Sequence, residues 1–410
     1  MRRPLACRSS KANEVLAMIF IFLNDKLISA DTFLPIALEM RSRTNDRIEF
    51  HCFDARTYKT IGENEIIART MASIGTLNLL TDHRRSTRNE FTIYRLKQRI
   101  AAAFRLARIL IIVLTRRTTL IHFKALNRYP LRLLYLANRR RTILVQSSAA
   151  DSSELEAQLD RLVKERFIDS TAPAASVLVH FNEHWPPLED YRLTTVPRYR
   201  VTIPYRRKAW LTYLSEWRDS LLANYGTASG SGAICFMCNT MSTDVLLDEN
   251  TSFRVLFRQT LEILAEELPD VPVLVKRHPA TTPEIASIQA DIVRTVGHRI
   301  SFTNLHPQLL ALHSLCFIGN WYSSTFLHAK LFKIPTIQYT HSSPNVRRVT
   351  GDGNPRPDLV SHYIDNDPSA LRILLRTLSP ARGGWSSIVD CDPMLEANYD
   401  HVLKLMVGRS

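Results

Sequence analysis

Glycine is scarce in this chain, 12 residues in 410, about 3% where about 7% is usual. Neither a Walker A loop nor a G-x-G-x-x-G turn occurs. Any phosphate site must therefore be built from helix N-termini, hydroxyls and cations rather than from a glycine-rich cradle. Long apolar runs are missing as well: none approaches the roughly 18 residues of a membrane span, so no segment is expected to cross a bilayer. Cysteine is sparse. Cys7, Cys52, Cys235, Cys238, Cys316 and Cys391 are scattered, the pattern of buried, reduced thiols in a cytosolic protein. Cys235-x-x-Cys238 is the one close pair; it sits in an apolar run with no second pair or histidine at zinc spacing, which favours packing over a metal or redox role. Acidic residues are also few: 39 Asp and Glu against 53 Lys and Arg leave a net charge of +14. Such a field attracts polyanions; nucleic acid, an anionic membrane surface and a phosphorylated ligand all fit. The arginines look dispersed over both halves, and no element with clustered basic and aromatic residues stands out, so no nucleic-acid partner is expected.

At 410 residues, 45% hydrophobic and 22% charged, the chain is long enough for two soluble globular domains. A basic start followed by the apolar run 15–23 mimics a short signal peptide with Ile28-Ser29-Ala30 as its cleavage site. A buried first strand is the preferred reading, because a polar loop and a helix with Asp31 as its N-cap follow. Strands are predicted over 15–23, 48–53, 76–80, 109–114, 119–123, 142–145 and 176–181. Helices are predicted over 31–41, 63–73, 94–106, 131–136, 153–166 and 209–223. After a basic, Pro-rich stretch and a cluster of glycines at 225–232, the alternation resumes. Strands fall over 233–238, 271–275, 299–302, 315–318 and 336–339; helices fall over 253–267, 283–296, 307–312, 324–331, 368–378 and 393–406. Alternation of this kind predicts an α/β protein of two doubly wound, Rossmann-like domains facing across a cleft. We place them at 1–205 and 206–390, with a C-terminal helix, 391–410, packing back toward the first domain.

The densest signal lies between residues 271 and 339. Val273-Leu274-Val275 ends in Lys276-Arg277-His278-Pro279. Further on, Leu315-Cys316-Phe317-Ile318 ends in Gly319-Asn320-Trp321-Tyr322-Ser323-Ser324-Thr325 and opens a helix. Each run has the form of a buried parallel strand whose carboxyl end, the ligand edge of open α/β sheets, feeds a helix N-terminus. Lys276, Arg277 and His278 with Ser323, Ser324 and Thr325 make a candidate diphosphate or phosphodiester site. Lys276 and Arg277 alternate across the strand end, so one of the two is expected to face the crevice. Plainer roles exist: a lone histidine is commonly structural, and hydroxyls cap helices. Capping and phosphate binding use the same unpaired N–H groups and are compatible. Asn239 and Thr240, after the first strand of this domain, add polar groups at the same edge.

Lys-x-His-Pro after a strand, Ser-Ser before a helix, and then a strand opened by Pro335 resemble the C-terminal half of GT-B glycosyltransferases. The likeness is to the groups that build bacterial capsule and other surface polysaccharides, including sialyltransferase-like and polyol-phosphate-transferase-like ones. It covers the C-terminal half well and the N-terminal half by pattern only. The resemblance implies transfer of a sugar from a nucleotide-sugar donor to a polysaccharide or lipid-linked acceptor, with no cofactor beyond the nucleotide sugar as substrate. It places His278 and Ser323–Ser324 on the donor phosphate; Asn239 and Thr240, from their place at the same edge, are read as further donor contacts. One departure stands out. Many GT-B enzymes carry Glu on the helix after the serines, where it holds the donor ribose; this chain has His328, whose neutral imidazole can accept one ribose hydroxyl.

Inverting transfer needs a general base for the acceptor hydroxyl and help for the departing phosphate. The base is expected from the first domain, after its first strand, where Asp25 and Asp31 lie; Asp31 has a competing job as N-cap, so Asp25 is the freer. Asp54 and Asp82 end the next strands and are comparable candidates. Asp390-Cys391-Asp392 is formally an Asp-x-Asp pair, but Asp392 before Pro393 reads as a helix cap, and no metal is expected. Residues 94–108 form a basic amphipathic helix carrying Arg95, Lys97, Arg99, Arg105 and Arg108. It is either a solvated face on a helix packed against the sheet, or an interfacial helix facing anionic lipid or an acidic acceptor. A cytoplasmic protein at the inner face of the plasma membrane follows from this reading. The alternatives are a same-fold nucleotide-sugar epimerase or polyol-phosphate transferase, and a non-enzymatic basic nucleic-acid-binding protein. An epimerase would need several cleft carboxylates, and few stand at strand ends in the C-terminal half.

Overall fold

The computed structural model describes residues 17–23, 27–53, 55–80, 92–123, 125–127, 129–145, 173–180, 196–222, 232–241, 244–278, 281–297, 299–351, 353–378 and 392–408. Seven strands form the first sheet: β1 (Met18–Phe22), β2 (Arg47–Cys52), β3 (Thr76–Leu79), β4 (Thr118–His122), β5 (Thr142–Val145), β6 (Val177–His180) and β7 (Arg198–Arg200). Their order is β3-β2-β1-β4-β5-β6-β7, all parallel. Six strands form the second: β8 (Ala233–Met237), β9 (Val273–Lys276), β10 (Ile300–Thr303), β11 (Ser314–Gly319), β12 (Thr336–Thr340) and β13 (His362–Asp365). They run parallel in the order β10-β9-β8-β11-β12-β13. Each sheet winds outward from its first strand in both directions. The chain therefore reverses between β1 and β4, and again between β8 and β11, which opens a crevice at each carboxyl edge.

Side-chain alternation explains the layers. Met18, Phe20 and Phe22 point to one face of β1 and pack with Ile109 and Val113 of the helix Thr92–Thr115. Ile19, Ile21 and Leu23 point to the other and meet Phe33, Leu34 and Ala37 of the helix Leu27–Arg43. Period-2 alternation with apolar residues on both faces is what a doubly covered parallel sheet requires. The Ile19 cluster does not stop at the domain boundary: it runs on through Tyr205 and Trp210 to Leu309 and Phe326 beneath the second sheet. Trp210 is fully buried and donates from Nε1 to Gln308 Oε1 at 2.7 Å, and Gln308 Nε2 donates to Tyr205 O at 2.7 Å. Residues 204–222, between the two sheets in sequence, are thus tied to the second domain by a closed hydrogen-bond chain.

The helix Pro393–Met406 lies against β7 and the helix Leu27–Arg43. Asn398 Nδ2 donates to Arg200 O at 2.9 Å and Arg43 pairs with Asp400 at 2.9 Å. Arg207 binds Glu39 through two bonds of 2.8 Å, pairs with Glu396 and with Asp400 (3.1 Å), and lies over the Tyr399 ring at 4.4 Å. Both Glu39 and Tyr399 are buried, so this clamp joins the first domain, the linker and the terminal helix in a low-dielectric setting.

Three expectations are corrected. The run Ile109–Leu114, read as a strand, is the end of the helix Thr92–Thr115. Ile109 and Val113 are buried while Ile111 and Leu114 are exposed, a spacing of one helical turn rather than of a pleat. Asp31 does not cap its helix, which starts at Leu27 and places Asp31 in its second turn. Strands β7 and β13 and the helix Pro344–Thr350 were not anticipated. β7 is only three residues inside a basic, Pro-rich stretch, and β13 carries polar residues at an edge.

Candidate active site between the two domains

Because β8 lies between β9 and β11, their carboxyl ends bring Asn239 and Thr240, Lys276 to His278, and Asn320 to Thr325 to one edge. Gly319 makes this approach possible. A Cβ there would sit 2.9 Å from Met237 O, closer than backbone allows without a shift, and a tight 3.1 Å from Trp321 O. Asn320 is buried and structural, with Nδ2 donating to Thr260 Oγ1 at 2.8 Å and Tyr339 O at 3.1 Å. The hydroxyls beyond it are half-buried. Ser323 Oγ and Thr325 Oγ1 are 2.7 Å apart, and Thr325 N donates to Ser323 Oγ at 3.3 Å. Thr325 occupies the N-cap position of the helix Phe326–Leu331 without a side-chain capping bond.

Asn239 accepts from Met241 N through Oδ1 at 3.1 Å. That bond fixes the amide orientation and leaves its buried Nδ2 with no protein acceptor, a donor pointed at nothing in this edge. His278 is half-buried, and its carbonyl accepts from Thr281 N at 2.9 Å. Lys276 and Arg277 do diverge. Arg277 stacks on Phe302 at 3.6 Å and donates to Ala286 O at 3.2 Å, so it serves the helix Pro283–Val296. Lys276 turns toward the first domain, with Nζ donating to Leu305 O at 2.8 Å. Burial lowers its pKa to about 8, a shift that the nearby carboxylate of Asp31 partly offsets.

Asp31 approaches this edge from the first domain. Its Oδ1 lies 3.5 Å from Nε2 of His306, which is completely buried. His306 caps the helix Pro307–Ala311 by accepting Gln308 N on Nδ1 at 3.2 Å. Nε2 is the ring's remaining polar atom, and although it lies beside Asp31 Oδ1, neither of the two buried atoms makes a hydrogen bond. The His306 ring stands edge-on to Trp210 at 5.6 Å and to His328 at 5.4 Å, and His328 lies 4.4 Å from Tyr205. His328 is 4% exposed, packed among rings rather than open to a ribose. Burial first, then His306 and Lys276, hold its pKa well below the ordinary value, so it stays uncharged. One carboxylate, one imidazole and one ammonium thus converge where the two domains meet, a combination able to accept a proton and to offset anionic charge.

Asp25, Asp54 and Asp82 lie outside the described residues. Asp392 caps the last helix by accepting Met394 N at 2.8 Å, and its formal partner Asp390 lies outside the described residues. Cys235 and Cys238 are buried; burial drives both thiol pKa values up, that of Cys235 to about 12. Among the described residues no group of three His, Cys, Asp or Glu is placed to hold a metal ion. His306 was missed from sequence, although a signal exists: His306-Pro307 follows β10 as His278-Pro279 follows β9.

No protein-family model matches the chain, and no curated protein matches it. Among solved structures it is similar to UDP-GlcNAc 2-epimerase from Methanocaldococcus jannaschii, with a TM-score of 0.52 at 11% identity, covering 96% of this chain and 100% of that one. The same enzyme in complex with UDP-GlcNAc and UDP gives a TM-score of 0.52 at 13% identity over 96% and 100% of the two chains. A glycosyltransferase from Rickettsia africae ESF-5 is more distant in shape, with a TM-score of 0.43 at 13% identity and 96% of both chains covered. At such identities the similarity defines the fold and nothing further. With the two parallel sheets, it is the two-domain, Rossmann-like GT-B fold.

Proposed function

We propose that this protein transfers a sugar from a nucleotide-sugar donor to a hydroxyl acceptor, in keeping with a surface polysaccharide or its lipid-linked precursor. The observation that carries the reading is the meeting of Asp31 with His306 and Lys276 at the carboxyl edge of the second sheet. Asp31 acts as the general base. It takes the acceptor hydroxyl's proton as that oxygen attacks the anomeric carbon and the bond to the donor phosphate breaks. His306 stands beside the carboxylate, its Nε2 3.5 Å from Oδ1. The Lys276 ammonium, the Ser323 and Thr325 hydroxyls, His278 and the Asn239 amide donor receive the departing diphosphate. Asp31 and His306 are buried here, so acceptor entry requires the domains to part. The Lys276 ammonium and the hydroxyls at the edge supply the charge balance, and the reaction as proposed uses no metal.

Nucleotide release measured with and without a hydroxyl acceptor, together with NMR of the remaining donor, tests the reading. Transfer predicts nucleoside diphosphate released in proportion to acceptor consumed. Nucleoside monophosphate would be released by a polyol-phosphate transferase or by transfer from a sugar linked to a nucleoside monophosphate, and NMR of the product, phosphodiester or glycoside, separates the two. A second nucleotide sugar formed with no acceptor present would make the protein an epimerase and sink the proposal. Among the described residues the Asp31 cluster holds a single carboxylate, which supports transfer over an elimination that needs several.

A further inference from the structure

The positive charge is not dispersed, contrary to the impression given by the two halves taken whole. Residues 91–150 hold 13 of the 53 Lys and Arg and none of the 39 Asp and Glu, so the remainder of the chain is balanced to within one charge. The same stretch carries most of the exposed large apolar side chains among the described residues. Ile100, Phe104, Ile111 and Leu114 lie on the helix Thr92–Thr115, and Tyr129, Leu133 and Leu136 lie on or beside the helix Arg132–Ala137 that packs against it.

These features form a built surface. At about 100° per residue, Ile100, Phe104, Ile111 and Leu114 fall within about 80° of arc and extend for about 21 Å along the helix. The stripe is opposite Ile109 and Val113, which anchor the helix in the core. Arg108 pairs with buried Glu49 at 3.2 Å and fixes the rotation. Phe104 is 73% exposed and Leu114 66%. Lys97 and Arg99 on the helix, Arg116 just beyond its end, and Arg139 and Arg140 just beyond the helix Arg132–Ala137 are exposed. A stripe of apolar side chains set among cations, on an element with no carboxylate, matches an anionic bilayer surface: acyl chains take the apolar side chains and phosphates take the cations. A nucleic acid offers the charge but no reason for the stripe. Among the described residues no helix is long and apolar enough to span a membrane, so contact is lateral. The helix follows β3 and precedes β4 in a parallel sheet, so its Lys97 end lies at the carboxyl edge where Asp31 is found.

We propose that this face, the outer side of the helix Thr92–Thr115 with the neighbouring arginines, docks the protein on an anionic lipid surface. The inference does not depend on the reaction assigned above, and its test reads no activity. Co-sedimentation with phosphatidylcholine vesicles, with and without phosphatidylglycerol, is measured at about 0.1 M and about 1 M salt. Binding is expected to anionic vesicles and to weaken with salt. Phe104→Ser/Leu114→Ser lowers the partition coefficient about tenfold, and Arg139→Ser/Arg140→Ser about fivefold per residue; both sites are exposed, and thermal melts check the fold. Equal binding to both vesicle types, or none at the lower salt, overturns the proposal. So does an apolar variant that binds like the parent while RNA competes, since the patch would then be a general polyanion site. A dimer in sedimentation velocity that Phe104→Ser/Leu114→Ser dissolves, with no vesicle binding, would assign the face to a second copy instead.

Discussion

The two sheets are wound alike, yet their helices begin differently. In the second half nearly every helix starts on a side-chain cap: Ser252 accepts Val255 N, Thr282 accepts Ile285 N, His306 accepts Gln308 N, Ser343 accepts Val346 N and Asp367 accepts Ala370 N. Proline stands in the first turn at Pro283, Pro307, Pro344 and Pro368, where its missing N–H costs nothing. In the first half Asn64 caps a helix, but the helix Arg132–Ala137 begins after Leu131 without a side-chain bond. The helix Leu27–Arg43 carries Pro35 in its interior and no acidic residue in its first turn. The second domain is specified locally, one helix start at a time. The first depends more on burial against its sheet and on clamps such as Arg207, and its two longest helices are those whose bounds differ most from expectation.

The sharpest test of the comparison asks whether the locally less marked domain supplies the chemistry. Asp31→Asn is expected to lower turnover by about 10²–10⁴-fold, the range for removal of a general base, with an unchanged circular dichroism spectrum; near-parental turnover would return the role to another carboxylate. Next in size is the clamp. Arg207→Met leaves buried Glu39 with only the longer Arg43 pair at 3.7 Å and should cost about 3 kcal/mol in urea denaturation, whereas a loss below about 1 kcal/mol would mean that the first domain does not lean on it.

The scarce glycines compare the sheets directly. A Cβ on Gly75 would meet Ile48 O at 2.1 Å, against 2.9 Å for Gly319 and Met237 O, while Gly297 has nothing within 4 Å. Gly75→Ala should therefore destabilise by about 3 kcal/mol and Gly319→Ala by about 1–2 kcal/mol, with Gly297→Ala nearly silent. The reverse ranking in melting experiments would place the closer backbone contact in the second sheet.

Lys276 gives a pH signature. Its pKa is lowered to about 8, and only the ammonium holds a phosphate, so donor affinity should be greatest below pH 8 and fall as pH rises through it. Lys276→Met should lose about tenfold in affinity and flatten the profile; titration calorimetry across that range decides. The smallest effects are the caps. Ser343→Ala and Asp367→Ala should each cost about 1 kcal/mol, and if they cost nothing, local specification of the second domain is wrong.

Legibility followed the same division. The helices Phe253–Glu267, Pro283–Val296 and Pro393–Met406 have the bounds expected from sequence, because Ser252, Thr282 and Asp392 announce them. The helices Leu27–Arg43 and Thr92–Thr115 run beyond their expected bounds, because apolar β-branched runs such as Ile111-Ile112-Val113 favour a strand until burial is known. The polar residues at the ends of β8, β9 and β11 were legible as strand-end motifs. His306 was not recognised, since a histidine before a proline gains meaning only when a carboxylate is seen opposite its ring. The basic concentration in 91–150 is plain in the sequence once counted by segment; that its apolar partners face outward in one stripe is not.

The sequence by itself determined two doubly wound domains and the polar groups at the ends of β8, β9 and β11. Hydrophobic periodicity and helix caps act within a few residues and need no knowledge of the remainder. Tertiary structure alone decided which of Lys276 and Arg277 faces the first domain, that Asp31 meets His306 rather than capping a helix, and that Phe104 is left in the open. Each depends on what a distant segment places opposite a side chain, and no local rule of spacing encodes that distance.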